Sequence, residues 1–160
     1  MIVLRTATIE DLKILEYWDT QPHVIAADPE DEDWEYELGR NPAWRKLFIA
    51  EINGMPIGCL QIIDPHEEDT HYWGEVGKNK RAIDIWIGEK DFLNKGYGTQ
   101  MMKQAIELCF SDKEVDEILI DPLTVNKDAI RFYKRLGFEF VERRIFNLDE
   151  CDVYALRRPN

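Results

Sequence analysis

The chain has 160 residues, 44% of them hydrophobic and 11% aromatic, with a formal net charge of −12; this composition predicts one globular domain over residues 1–160 with an ordinary core. The acid excess argues against a nucleic-acid partner, whose phosphates call for neutralising Lys and Arg, and no stretch approaches the roughly 20 apolar residues of a membrane span, so no membrane partner is expected. Cys59, Cys109 and Cys151 lack C-x-x-C spacing, and the start of the chain lacks a basic segment with a small-residue cleavage site; together these predict a cytoplasmic protein and no metal.

In chain order, the alternation of IVLRTA predicts a first strand, and Thr8 with Asp11 forms a capping-box pattern that opens a helix through about Trp18. The acidic stretch DPEDEDWEYELGRNPAW predicts a short second helix over about Glu30 to Leu38. LFIAEINGMPIGCLQIID reads as a hairpin, because Asn53-Gly54 supplies the two positive-φ residues of a tight turn. A polar loop, PHEEDTHYWGEVGKN, leads to the strand RAIDIWIG. Its alternation sets Ile83, Ile85 and Ile87 on one face and Ala82, Asp84 and Trp86 on the other.

After DFLNKGYG, a helix is predicted from Met102, Ala105, Ile106, Cys109 and Phe110, which share one face. DEILID is a further strand, and NKDAIRFYKRLG a helix with Gly137 as its C-terminal cap. FEFVERRIF and DVYALRR complete the chain as strands. The predicted architecture is α/β, a single mixed sheet of six to seven strands flanked by about four helices, with a right-handed crossover in its middle.

Gly96 and Gly98 stand where the long helix must nucleate, although glycine is a poor helix former. Such a loop either only turns the chain or lets main-chain N–H groups converge on an anion at the positive end of the helix. No nucleotide P-loop lysine pattern is present, and G-x-G-x-x-G is incomplete because residue 101 is Met.

The segment Leu93-Asn94-Lys95-Gly96-Tyr97-Gly98, followed by Asn126, Ala129, Tyr133, Gly137 and Phe138, resembles the two motifs of the GNAT superfamily of acetyl-CoA-dependent N-acetyltransferases. The usual polar residue at the first position of the loop is replaced by Leu93. The segments AIDIWIGEKDFLNKGYGT and DPLTVNKDAIRFYKRLGF are similar to those of aminoglycoside 6′-N-acetyltransferases, in which that position is likewise apolar. Siderophore-type acyltransferases share much of the pattern, with a histidine expected in place of Asp84.

The resemblance implies a GNAT fold splayed between its fourth and fifth strands, and acetyl-CoA as cosubstrate. Main-chain groups of Ile85, Trp86 and Ile87 would pair with the pantetheine arm. Lys95, Gly96, Tyr97, Gly98 and Thr99 would serve the pyrophosphate, together with Asn126 and with Lys127 or Lys134. Tyr133 would protonate the departing thiolate. Asp84 would accept the amine's proton, directly or through water, or hold the cation; the alternative is a structural ion pair with Lys80 or Arg81.

Asp121, Asp149 and Asp152 would grip amino groups; Asp31, Glu32 and Asp33, and Glu67, Glu68 and Asp69, would either line the pocket mouth or, as charge runs more often do, form solvated surface. Tyr72, Trp73, Trp34 and Tyr36 would stack on sugar rings or cations, or pack in the core. The implied partner is a cationic amine, first an aminoglycoside, otherwise a polyamine, a protein amine or a siderophore precursor. The implied enzyme is a monomer or homodimer; the alternative of another class is a non-catalytic acyl-CoA sensor.

Overall fold

The chain runs β1 (Ile2–Thr6), α1 (Leu12–Trp18), α2 (Pro22–Ala27), α3 (Trp34–Leu38), β2 (Arg45–Ile52), β3 (Met55–Ile63), β4 (Lys80–Ile87), α4 (Tyr97–Ser111), β5 (Glu117–Ile120), α5 (Lys127–Arg135), β6 (Glu139–Phe146) and β7 (Asp149–Arg157). The computed structural model describes residues 1–29 and 32–160. Among these residues the strands form one seven-stranded sheet in the order β1-β2-β3-β4-β5-β7-β6. Only the β4–β5 pair is parallel.

Local chemistry sets the element ends. Asp11 accepts from the Thr8 N–H at 2.8 Å while Thr8 accepts from Glu10, which closes the capping box in a 3-10 turn just before α1. Asn53 and Gly54 take φ of 50° and 80° and join β2 to β3. At the end of α5 the Gly137 N–H bonds the Lys134 carbonyl and the Phe138 N–H the Tyr133 carbonyl. The Phe138 ring then packs edge-on against Tyr133 at 5.8 Å, the apolar contact that accompanies this kind of helix stop.

Residues 19–45 hold two helices, α2 and α3, where the sequence pattern predicts one. α2 opens on Pro22 at its first position, where a missing N–H costs nothing. α3 begins at Trp34, capped by Asp33, which accepts from the Tyr36 N–H at 3.2 Å. Glu30 and Asp31, at the predicted helix start, lie outside the described residues.

Helices α4 and α5 cover one face of the sheet, burying Met101, Met102, Ala105, Ile130 and Tyr133 against Ile83, Ile118 and Ile120. On the other face, Leu15, Trp18 and Trp34 pack over Ile49 and Cys59. Farther along that face, Trp73 covers Ala82, Leu119, Val153 and Ala155. The Trp18 ring fits only because residue 88 is glycine: a Cβ there would lie 2.1 Å from the indole. That contact, with the Trp18 Nε1 bond to Glu89 at 2.9 Å, fixes the end of β4 against α1.

Candidate active site

β4 and β5 pair only over Lys80–Ala82 and Glu117–Leu119, after which no strand among the described residues lies beside β4 on that edge. The Trp86 carbonyl points at β3, where a Cβ on Gly58 would approach it to 2.5 Å, and the Gly88 N–H bonds the Ile57 carbonyl at 2.8 Å. Strand groups alternate between edges, so Ile85 and Ile87 turn their N–H and C=O toward the opening. Trp86 turns its main chain away, which corrects the expectation that it joins them; its side chain lines the cavity instead. The cavity that begins in this opening has a volume of about 1320 Å³.

α4 starts at the far end of the opening. Its N-cap, Gly96, has φ of 84°, a conformation that side chains rarely adopt, and no side chain caps the first turn. The N–H groups of Tyr97, Gly98 and Thr99 are left for an anion, in the field of about half a positive charge. At α5 the same position is closed, because Asn126 Oδ1 accepts from the Ala129 N–H at 3.2 Å.

Carboxylates gather on the wall where the sheet parts. Asp84 Oδ2 accepts from Gln61 Nε2 at 2.8 Å, its cross-strand neighbour. Lys80 is engaged by Asp116 and Glu117, and Arg81 by Asp64 and Asp112. Among the described residues no cation pairs with Asp84. Burial raises its pKa to about 6; the Gln61 bond works against this rise and the Asp28 charge adds to it.

Burial and then the charges of Asp84 and Asp28 hold Asp121 well above the carboxylate range. At the mouth, enclosure followed by the charges of Asp84, Glu37, Asp28 and Asp19 raises Glu32 to about 7, although solvent still reaches that side chain. The Tyr133 hydroxyl lines the same cavity with no hydrogen-bond partner among the described residues. Its pKa is raised by burial and then by Asp84 and Asp121, so it carries its proton at neutral pH.

Residues 8–146 match the family model for the acetyltransferase (GNAT) domain. The chain belongs to the GNAT acetyltransferase family. It is 31% identical over 150 residues to the aminoglycoside N(6′)-acetyltransferase type 1 of Klebsiella pneumoniae, covering 86% of this chain and 74% of that protein. It is 27% identical over 166 residues to the L-amino acid N-acetyltransferase AaaT of Escherichia coli K12, covering 98% and 97%. Among solved structures, AAC(6′)-Ib in complex with ribostamycin and coenzyme A superposes with a TM-score of 0.86 at 28% identity, over 98% of this chain and 93% of that one.

In this acetyltransferase, Gly96, Gly98, Thr99 and Asn126 reach the cavity wall together with Asp84, Asp121, Asp149, Tyr72 and Tyr133. Tyr97 packs on Phe92 at 5.7 Å, and Lys95 lies over the same ring at 5.9 Å. Lys127 and Lys134 are exposed beside the wall; the α5 cations that line it are Arg131, paired with Asp128, and Arg135.

Two assignments to the acceptor pocket of the acetyltransferase are corrected. Asp152 lies on the opposite face of β7 from Asp149 and Cys151, where Thr124 donates to it at 2.7 Å and Arg143 at 2.9 Å. It is a buried structural carboxylate whose pKa is lowered, chiefly by Arg143. Trp73 is buried against Phe146, ring centroids 5.2 Å apart, and leaves the pocket to its neighbour Tyr72.

Glu68 is on the wall, but its carboxylate is taken up by the N–H groups of Thr70 and His71. Residues that sequence reasoning passes over are Gln61, Asp19, Asp28 and His23, all lining the cavity. Gln61 has a readable signal, a polar residue in an otherwise apolar strand run. His23 has only its place one residue after a helix-opening proline. No group of three or more His, Cys, Asp or Glu side chains that could hold a metal ion occurs among the described residues. Nor is any helix among them long and apolar enough to cross a membrane.

Proposed function

We propose that this acetyltransferase transfers the acetyl group of acetyl-CoA to a primary amine of an aminoglycoside, the 6′-amine by analogy with its named relatives. The observation that carries the reading is Asp84, a carboxylate paired with no cation among the described residues, standing where the sheet opens and joined there by Asp121 and Glu32. A cluster of that kind is costly to keep charged unless a cation arrives to occupy it.

The residues fit the cosubstrate. The uncapped start of α4 suits its diphosphate, and the edge of β4 left without a strand partner beyond Ala82 suits an extended arm laid beside Ile85 and Ile87 as an added strand. Acetyl-CoA supplies the thioester whose carbonyl carbon the amine attacks, so that a C–N bond forms as the C–S bond breaks. Positioning the two reactants contributes much of the rate.

Asp84 takes up the amine proton or holds the ammonium until water removes it. An alkylammonium has a pKa of about 10, and lifting Asp84 from 3.8 to about 6 removes roughly 3 kcal/mol of that mismatch. The same carboxylates also hold the ammonium in its charged form, which offsets part of the gain. Tyr133, protonated at neutral pH, gives its proton to the departing thiolate.

Cys59, Cys109 and Cys151 are all free, which supports a cytoplasmic setting. The deciding experiment is release of coenzyme A thiol with a panel of aminoglycosides, polyamines, amino acids and peptides, followed by NMR location of the acetyl group. Turnover with an aminoglycoside, acetylated at the 6′-nitrogen, is expected. Turnover confined to amino acids would move the function toward that of the AaaT relative.

A further inference from the structure

Of the two β4 residues that turn their main chain toward the opening, Ile87 already has a partner. His23 Nε2 donates to the Ile87 carbonyl at 2.8 Å, the direction being set by a carbonyl that has no proton to give. His23 belongs to α2, which is six residues long and buries Val24. So short a helix is not held by its own backbone bonds, and its position depends on these side-chain anchors. The residue after it, Asp28, adds its charge to Asp84, Asp121 and Glu32. One small element therefore touches the cosubstrate edge with His23 and the acceptor wall with Asp28.

We propose that α2 is a latch on the cosubstrate slot: His23 occupies the Ile87 carbonyl in the free enzyme, and the arm of acetyl-CoA takes that carbonyl by displacing it. The latch rests on the cosubstrate reading given above. An arm laid along β4 as an added strand finds its main-chain partners at Ile85 and Ile87, because the intervening residue faces β3. In the latch, entry of the arm breaks the His23 bond rather than sharing the carbonyl's second lone pair, and α2 loses an anchor at the moment the slot fills. Ligands ordinarily protect the segment they touch; this one loosens it.

Isothermal titration of coenzyme A into the wild type, His23→Leu and His23→Gln tests the latch, with a melting curve for each variant to verify folding. Leucine fills the space without a donor, whereas glutamine keeps one. His23→Leu is expected to bind coenzyme A about fivefold more tightly, and His23→Gln to stay within about twofold of the wild type.

Hydrogen exchange supplies a second readout. Amides of residues 23–28 are expected to exchange faster in the wild type once coenzyme A is added, and to be fast from the start in His23→Leu. Unchanged or weaker binding by His23→Leu, or slower exchange in α2 on binding, overturns the latch while leaving the cosubstrate reading intact. Wild-type protein that binds no coenzyme A overturns that reading, and the latch with it.

Discussion

Replacing Asp84 by Asn should make the protein more stable and nearly inactive at once. Asp84 is held by one hydrogen bond from Gln61 and by no cation among the described residues, and its pKa rises from 3.8 to about 6. A carboxyl raised in this way favours the folded state fully below about pH 4, and that contribution is lost as pH climbs through about 6. The difference of about 2 units amounts to at most about 3 kcal/mol. Asparagine keeps an oxygen for Gln61 and carries no charge, so at pH 8 the variant regains up to that amount.

For a domain of this size 3 kcal/mol corresponds to roughly 6 to 12 °C in Tm. Scanning calorimetry of the wild type and Asp84→Asn from pH 4 to pH 8 should show the variant melting higher at pH 8, with the gap closing toward pH 4. In turnover assays kcat should fall about 100-fold or more, with coenzyme A affinity nearly unchanged. A variant that melts lower than the wild type at pH 8, or that loses coenzyme A binding, would show that Asp84 holds the fold together. The functional account of the pocket would then fail.

The wild-type pH profile of kcat/KM should rise through about pH 6, where Asp84 gives up its proton; a profile flat between pH 5 and 7 would exclude it as the group that must ionise. Tyr133→Phe should lower kcat about 100-fold while calorimetry finds coenzyme A bound within about twofold of the wild-type affinity; an unchanged kcat would assign the proton to water. Gly96→Ala meets no neighbour within 4 Å but forces alanine to a φ of 84°, so a loss of about 1 to 2 kcal/mol is expected by denaturant melts. Gly88→Ala drives a methyl group into the Trp18 ring and should lower stability by about 1 to 3 kcal/mol, with a change in tryptophan fluorescence.

Much of the fold is legible because local signals and tertiary needs agree. Asn53-Gly54 turns where a hairpin requires it, and Gly137 stops α5 with Phe138 folding back onto Tyr133. The alternation of β4 sorts its residues as observed: Ile83, Ile85 and Ile87 pack toward α4 and α5, while Ala82 and Trp86 meet the clusters on the other face. α2 is harder to see. Val24 is its one buried side chain, so it has no apolar stripe to betray it.

The pocket is legible where it depends on one strand and obscure where it depends on two. Asp149 and Asp152 look interchangeable in sequence. Which one faces the opening is decided by the seating of β7 between β5 and β6, a register that neither strand encodes alone. Trp73 is withdrawn from the pocket by Phe146, more than seventy residues away in the chain. Neither distant partner is visible to a local pattern.

The short ladder between β4 and β5 has an energetic consequence for the whole molecule. Three residue pairs join the half-sheet β1–β4 to the half-sheet β5–β7–β6, so the seam is the weakest line of main-chain bonding across the sheet. On the cosubstrate reading proposed above, a metabolite lying in that seam would supply the missing rungs and act, while bound, as an eighth strand. Its concentration then sets the resistance of the fold to heat, by about 2.7 kcal/mol at a hundred times Kd, and cells rich in the metabolite would hold the protein in its sturdier form.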